Sequence, residues 1–313
     1  MLARVAENLY WIGRHLERAD FCNRYITVQY FTSLSGPMTG HRDFILRSIL
    51  HVSGTIFTEN DLLDENQVWR TVLFNPDNPN SIFNSISHSR ENARSIRNNI
   101  SIELWEAINK WFLTSKQRSQ QYFSSSDLFW YSEQMVSHIA LIKSRMENTL
   151  LHDDVWHFLN LGILLERCLQ VLKITKTKIS DSIILSNSGK LENLKLFQWS
   201  VMLRSLGAFD AHHTMNKSSS MSSDTIYKLI LSNDMFPRSI NFATDKIHKH
   251  LTRISVQSES VKDITAKFIG QTESNKNFSS YTDEDAVISH IEDLGNWLSE
   301  VHEQIQSIFF LKR

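Results

Sequence analysis

The sequence predicts an all-α protein made of two tandem-duplicated helical bundles packed into one body. Three observations carry the prediction. Nine glycines and four prolines among 313 residues are about 4% of the chain, against about 12% in average usage. Sheet folds of this length spend those residues on turns, which argues against barrels, sandwiches and doubly wound α/β folds. Apolar residues recur at alternating spacings of three and four, the period of a helix with one buried face. Short blocks also repeat in order. Gly13, Leu16, Glu17 and Arg18 return as Gly162, Leu165, Glu166 and Arg167 at a shift of 149. Leu46-Arg47-Ser48 returns as Leu203-Arg204-Ser205 at 157, and Asn75, Pro79, Ser81 and Ile82 return as Asn233, Pro237, Ser239 and Ile240 at 158. The repeat sets two halves, 1–150 and 151–313, each a helical bundle.

The first helix is expected over 2–31, on Leu2, Val5, Leu9, Ile12, Leu16 and Ala19. Pro37 and Gly40 end it, and helices follow over 42–57 and 64–74. Asn75-Pro76-Asp77-Asn78-Pro79 reads as a turn into one long helix over 79–113, with Asn78 as N-cap and Pro79 at the first helical position. Its stripe is Ile82, Ile86, Ala93, Ile96, Ile100, Ala107 and Trp111. Ser124-Ser125-Ser126 makes the next break. Helices are then expected over 127–151, 154–178 and 192–213, with a low-complexity loop at 218–223 and a last helix over 283–312.

Composition narrows the function classes. Thirty-three Lys and Arg balance 34 Asp and Glu, a formal charge of −1, which argues against a nucleic-acid or anionic-membrane surface. Cys22 and Cys168 read as buried thiols rather than a disulfide framework. Arg4, Glu7, Arg14, Glu17 and Arg18 interrupt any signal-peptide core, and no stretch nears the ~20 apolar residues of a membrane span. A soluble, reducing, cytoplasmic setting is the expectation.

Candidate site residues gather in the first half. Arg4, Glu7, Trp11, Arg14 and Arg18 lie at spacings of 3, 4, 3 and 4, on one helix face. Glu17 lies on an adjoining line with Ala6, Tyr10 and Gly13, a more buried setting where a carboxylate needs a partner, arginine being the natural one. The second half keeps Glu166-Arg167. Two readings stand: structural ion pairs near a pseudo-two-fold axis, or a polar site in a helical cleft. Arg90, Arg94 and Arg97, with Glu91 beside them, form a second cluster. Three guanidinium groups within two turns repel unless carboxylates such as Glu91 and Glu103 answer them, or unless they bind a phosphate or substrate carboxylate. Six arginines against Glu7, Glu17 and Glu91 leave a surplus that invites an anion, if the two clusters face one cleft.

Other chemistries lack their motifs. There is no phosphate loop, no Gly-x-Gly-x-x-Gly, no His-Glu-x-x-His and no Glu followed three residues on by His, so no metal or cofactor is expected. His212/His213 and His248/His250 are expected at the surface. Asp153-Asp154 reads as the negative start of a helix, and Lys173, Lys176 and Lys178 as the basic end of one.

Long blocks of the chain resemble one family. Met1 to Ala19 (MLARVAENLYWIGRHLERA), Phe74 to Ile82 (FNPDNPNSI) and Ser89 to Arg94 (SRENAR) are similar to the bacterial alpha-E domain family. So are Trp156-His157-Phe158 with Gly162 and Leu165-Glu166-Arg167, and Phe236-Pro237-Arg238-Ser239. The resemblance covers essentially the whole chain. One departure is Ile163, where the family usually carries a second arginine. The resemblance implies an all-helical protein encoded beside, or fused to, a circularly permuted ATP-grasp protein, often near a transglutaminase-like or proteasome-like peptidase. Such a setting implies making, modifying or trimming amide bonds in peptides.

Two functions follow as expectations. One is a non-catalytic companion of the ATP-grasp ligase, holding a peptide or amino-acid substrate or completing the ligase. The other is a helical enzyme acting on the ligase product, with Glu7 or Glu17 as acid/base and Arg4, Arg14, Arg18, Arg90, Arg94 and Arg97 clamping carboxylates. The missing nucleotide loop and nucleophile–base pair favour the first.

Overall fold

The computed structural model describes residues 1–34, 41–58, 63–187, 192–216, 221–254 and 259–311. They are all-helical, with no strand among them, and they form two compact units: residues 1–34 with 41–163, and residues 164–311. The expected breakers Pro37 and Gly40, and the start of the 218–223 loop, lie outside the described residues.

Unit 1 is built on α1 (Ala3–Ser33). Leu9, Ile12, Leu16 and Ala19 are fully buried, whereas Leu2, at the N-cap, is exposed. Arg14, Glu17, Asp20 and Asn23, three apart and stepping around the helix from the far side back to that stripe, are buried too. α1 packs on α2 (Arg42–Ser53), α4 (Ile82–Ser95) and α6 (Leu128–Thr149), which leaves the Arg4, Glu7, Trp11 and Arg18 face partly open. Between α2 and α4 run α3 (Glu65–Trp69) and a π-helical turn, Arg70–Phe74. α2 stops at Gly54, whose φ of 70° is left-handed and suits glycine.

The expected helix over 79–113 is two helices. α4 ends at Ser95, Arg97–Asn99 make one 3-10 turn, Ile100 is extended, and α5 (Ile102–Ser119) starts from the N-cap Ser101. Asn98 and Asn99 favour turns, and the Ser101 hydroxyl accepts from the Leu104 N–H at 3.2 Å. The apolar stripe hides the break because Ile96 and Ile100 stay buried across it. The helix start also differs from expectation. Ser81 is the N-cap of α4, accepting from Asn84 N–H at 3.2 Å. Asn78 instead accepts from Asn80 N–H at 3.1 Å, which spends its side-chain oxygen inside the turn and leaves Pro79 outside the helix.

α7 (Asp154–Asn187) opens on the expected acidic start, with Asp153 accepting from Val155 N–H at 2.9 Å. It runs past the expected end at 178, so Lys173, Lys176 and Lys178 stand inside a helix. Lys178 is buried, bonded to Asp181 Oδ2 at 2.7 Å and Gln198 Oε1 at 3.1 Å. Burial pushes its ammonium pKa down, against the pull of Asp181.

Unit 2 continues with α8 (Glu192–Ser205) and α9 (Phe209–Met215), separated at Gly207, φ 64°, so the expected 192–213 helix is also two. α10 (Ser223–Tyr227), a π-helical turn over Lys228–Ser232, α11 (Ile240–Arg253), α12 (Glu259–Asn277) and α13 (Glu284–Ile305) complete it. His212 and His250 are buried, contrary to expectation. Residues one or two apart point to different faces of a helix, so a pair at a core boundary sends one member inward.

Elements recur between the units in order. α3 and its π-turn, Glu65–Phe74, stand 158 residues before α10 and its π-turn, Ser223–Ser232. α4 and α11 keep the same shift at both ends.

Candidate functional site

At Gly13 and Gly162 the backbones of α1 and the first turns of α7 come close, within unit 1. A Cβ on Gly13 would fall 2.1 Å from Leu159 O, and one on Gly162 would fall 2.0 Å from Tyr10 O. Neither backbone can yield that space, so only glycine fits. The contacts are reciprocal: Gly13 meets the carbonyl three residues before Gly162, and Gly162 meets the one three residues before Gly13.

Each glycine is followed by Leu-Glu-Arg after two residues. The two glutamates are buried, Glu17 at 0% and Glu166 at 1% exposure. Glu17 Oε2 takes the Lys143 ammonium of α6 at 2.9 Å, and the same ammonium reaches Asp20 Oδ2 at 3.0 Å. Beyond it, Asn23 and Thr27 both donate to Ser132 Oγ of α6, at 3.1 and 2.9 Å. A polar seam therefore runs along the α1–α6 contact. Glu166 accepts from Gln170 Nε2 at 2.8 Å, and Arg167 donates to Pro237 O at 3.1 Å.

The arginines of α1 are graded in depth. Arg4 is exposed, Arg18 half-buried and Arg14 buried at 5%. Arg14 donates to Tyr10 Oη at 2.8 Å and lies 5.4 Å over the Trp11 ring. Glu7 is half-buried, and its side chain makes no hydrogen bond or ion pair among the described residues.

The second cluster is laid on aromatic rings of α5. Arg90 lies 5.0 Å over Phe112 and 5.9 Å over Trp105, and donates to Asn109 Oδ1 at 3.2 Å. Arg97, in the 3-10 turn, lies 5.4 Å over Trp105. Phe83 stacks on Phe112 at 6.1 Å, continuing the ladder along the α4–α5 seam. Glu91 pairs with Arg90 and, at 2.7 Å, with Arg94. Burial would raise the Glu91 pKa, but hydrogen bonds and charge from Arg94 and Arg90 win and lower it. Glu103 joins no ion pair, and Arg97 has none, among the described residues. Arg94 is 62% exposed.

Sequence reasoning missed Lys143, Asp20, Trp105, Phe112 and Asn109. Asp20, one turn past Glu17, was open to view. Lys143 was not, since 126 positions separate it from Glu17.

The turn after the unit 1 π-helix makes a cradle of asparagines. Asn78 donates to Thr71 O and Thr55 Oγ1, both at 3.0 Å, Asn80 to Gly54 O at 2.9 Å, and Asn84 to Pro76 O and Asn78 O, both at 2.7 Å. Two hollows flank it, of about 410 and 250 Å³, and no arginine is among the described residues that line them.

Among the described residues no group of three or more His, Cys, Asp or Glu is placed to hold a metal ion, and no helix is long and apolar enough to cross a membrane.

An all-helical chain with two glycine-led Glu-Arg pairs, each glutamate buried, defines a class of helical proteins marked by that dipeptide, which occurs at 17–18 and 166–167 and nowhere else in the sequence. The Alpha-E family model, described as a predicted alpha-helical domain with a conserved ER motif, matches residues 1–310, and the chain belongs to that family. No curated protein and no solved structure matches the chain.

Proposed function

We propose that this chain is a binding companion of a circularly permuted ATP-grasp ligase in peptide or amide-bond formation. In this reading Arg90, Arg94 and Arg97 hold an anion: a peptide or amino-acid carboxylate, or acidic residues of the ligase. The observation that carries it is the imbalance of the patch. Among the described residues one carboxylate, Glu91, answers two of three guanidinium groups, and Arg97 has its aromatic contact alone. Stacking on Trp105 and Phe112 fixes Arg90 and Arg97, which lowers the ordering cost of binding.

The enzyme reading draws less support. A general acid or base must reach the proton it moves, and Glu17 is enclosed and held by Lys143. The arginines of α1 belong to the proposal only through Arg4, which is exposed; Arg14 is buried on Tyr10. A tandem duplication around the Gly13–Gly162 crossing is part of the same reading, supported by the reciprocal contacts and the 158-residue recurrence of elements.

The test is co-purification with the neighbouring ATP-grasp protein, then phosphate release with and without this chain. Arg94→Ala with Arg97→Ala should weaken the association at least tenfold, since each charged hydrogen bond contributes about 1.5 kcal/mol or more. The melting temperature should move by less than about 2 °C, because both side chains are exposed. Unchanged association and phosphate release in the double variant would refute the patch.

A further inference from the structure

Unit 2 leaves open a seam that unit 1 fills. In unit 1 the seam joins α1 to α6, where Lys143 bonds Glu17 and Asp20, and Ser132 takes Asn23 and Thr27. Ile139, between Ser132 and Lys143 on α6, is buried. α13 matches α6: both run 22 residues, and both ends stand 156 residues apart. That shift puts Gly295 at the place of Ile139 and Ser299 at the place of Lys143. The 149-residue shift from Gly13 to Gly162 puts Leu169, Leu172 and Lys176 of α7 at the places of Asp20, Asn23 and Thr27. Every filler of the unit 1 seam is thus replaced. Ser299, too short to cross, gives its hydroxyl to Gly295 O of its own helix at 2.9 Å.

The result is a groove of about 480 Å³, with Leu169, Leu172 and Ile291 as its apolar walls and Gly295 beside them. The volume falls within the ~300–1,000 Å³ of small-ligand sites. The described residues that line it all stand inside α7 or α13, away from the helix ends. Packing does not demand Gly295. A Cβ there would meet no described atom within 4 Å, whereas one on Gly13 would strike a carbonyl. Glycine weakens a helix interior, and its effect here is to deepen the groove. The two walls differ in charge. α7 brings Lys173 and Lys176, while α13 carries six acidic residues and no lysine or arginine. Lys176 Nζ reaches across to Glu292 Oε1 at 2.7 Å. Its side chain is 48% exposed and that of Glu292 50%, so water competes for both and the pair is weakly held.

We infer that the α7–α13 groove binds an aliphatic α-amino acid as its zwitterion. The side chain lies over Gly295, against Leu169, Leu172 and Ile291, and does for unit 2 what Ile139 does for unit 1. The Lys176–Glu292 pair opens onto the two charged ends, the lysine taking the carboxylate and the glutamate the ammonium. One exposed ion pair is exchanged for two, and the apolar part of the ligand leaves water. The site uses none of the arginines of the α4–α5 patch, so either reading can fail without the other.

The experiment is a titration of the full chain with L-isoleucine, followed by calorimetry or amide NMR shifts. L-alanine, with the same charged ends, and N-acetyl-isoleucinamide, with the same side chain and no charge, are the controls. Isoleucine should bind saturably and at least about tenfold more tightly than alanine, on the buried methylenes alone. The blocked derivative should bind at least about fivefold more weakly than isoleucine, since it loses both ion pairs. Gly295→Ile sets the unit 1 side chain in the groove and should abolish binding without lowering the melting temperature, because isoleucine is the better helix former. Glu292→Gln, a surface change, should weaken isoleucine binding about fivefold and leave the melt in place. No saturable binding of isoleucine, equal binding of either control, or binding that neither variant changes would overturn the assignment.

Discussion

Asn80 and Arg238 stand 158 residues apart and do one job. Each comes just before the serine that caps the next helix, and each sends a side-chain N–H back to a carbonyl just past the end of an earlier helix, α2 or α8: Asn80 to Gly54 O at 2.9 Å, Arg238 to Leu206 O at 3.3 Å. The serines match as well, Ser81 taking Asn84 N–H and Ser239 taking Phe242 N–H. Around these fixed points the chemistry diverges. Unit 1 fills its turn with neutral amides. Unit 2 uses a guanidinium, and Arg167 ties down Pro237 O from α7. The backbone path is what the two units share; the groups that satisfy its carbonyls are free to vary, provided each carbonyl finds a donor.

The sharpest test of the likeness is the helix crossing. Gly13→Ala and Gly162→Ala each drive a methyl into a backbone carbonyl and should each cost about 3 kcal/mol or more. Denaturant titration of both variants should give losses within about 1 kcal/mol of each other, because the two contacts are reciprocal. A large loss for one and none for the other would break the comparison.

The next effect separates the units. Lys143→Met strips the ammonium from two buried carboxylates and should cost about 2 kcal/mol, the buried-pair penalty reduced for the partial exposure of the lysine. Gln170→Met removes one amide from Glu166 and should cost about 1.5 kcal/mol. Equal thermal shifts would mean that Glu17 and Glu166 are held alike after all. Smaller again, Asn80→Ala and Arg238→Ala should each cost at least about 1 kcal/mol by chemical denaturation, the worth of the hydrogen bond each gives to Gly54 O or Leu206 O.

The smallest expected effect is on pH. Burial lowers the pKa of His212 and of His290 in unit 2; His213 lowers the first further, and Asp293 partly opposes the shift of the second. The folded state therefore binds these protons less readily than the unfolded chain does. The stability they contribute is complete above the unfolded value near 6.5 and is lost as pH falls below it through the lowered folded values. Denaturant midpoints at pH 7.5 and 5.5 should converge in the His212→Gln, His290→Gln double variant. His138 in unit 1, lowered by burial and then by Lys110, should add to the slope in the same direction.

The helices were legible because their apolar stripes are regular: Leu9, Ile12, Leu16 and Ala19 read as one buried face and are one. The same regularity misled at residues 96–101. Ile96 and Ile100 keep the period through a point where the chain leaves the helix, and only the Ser101 cap and two asparagines betray it. His212 and Lys178 were misplaced for a related reason, since their burial depends on α10 and α8, which no local pattern names. The burial of Glu17 could be read from Ala6, Tyr10 and Gly13 around it. The aromatic bed under Arg90 and Arg97 could not, because it requires knowing that α5 turns back along α4.

The asparagine cradle has a chemical consequence. An asparagine ages when the backbone nitrogen of the next residue attacks its side-chain amide and ammonia leaves. Asn75 and Asn78 are followed by Pro76 and Pro79, whose ring nitrogens carry no hydrogen to lose. Asn80 is followed by Ser81, whose N–H is committed to Asn78 O at 2.9 Å. The amides that close the unit 1 turn are thus shielded from the commonest spontaneous damage to their kind. Asn233, at the matching place in unit 2, is followed by Asp234 and has no such shield; slow deamidation of a stored sample should therefore register there first.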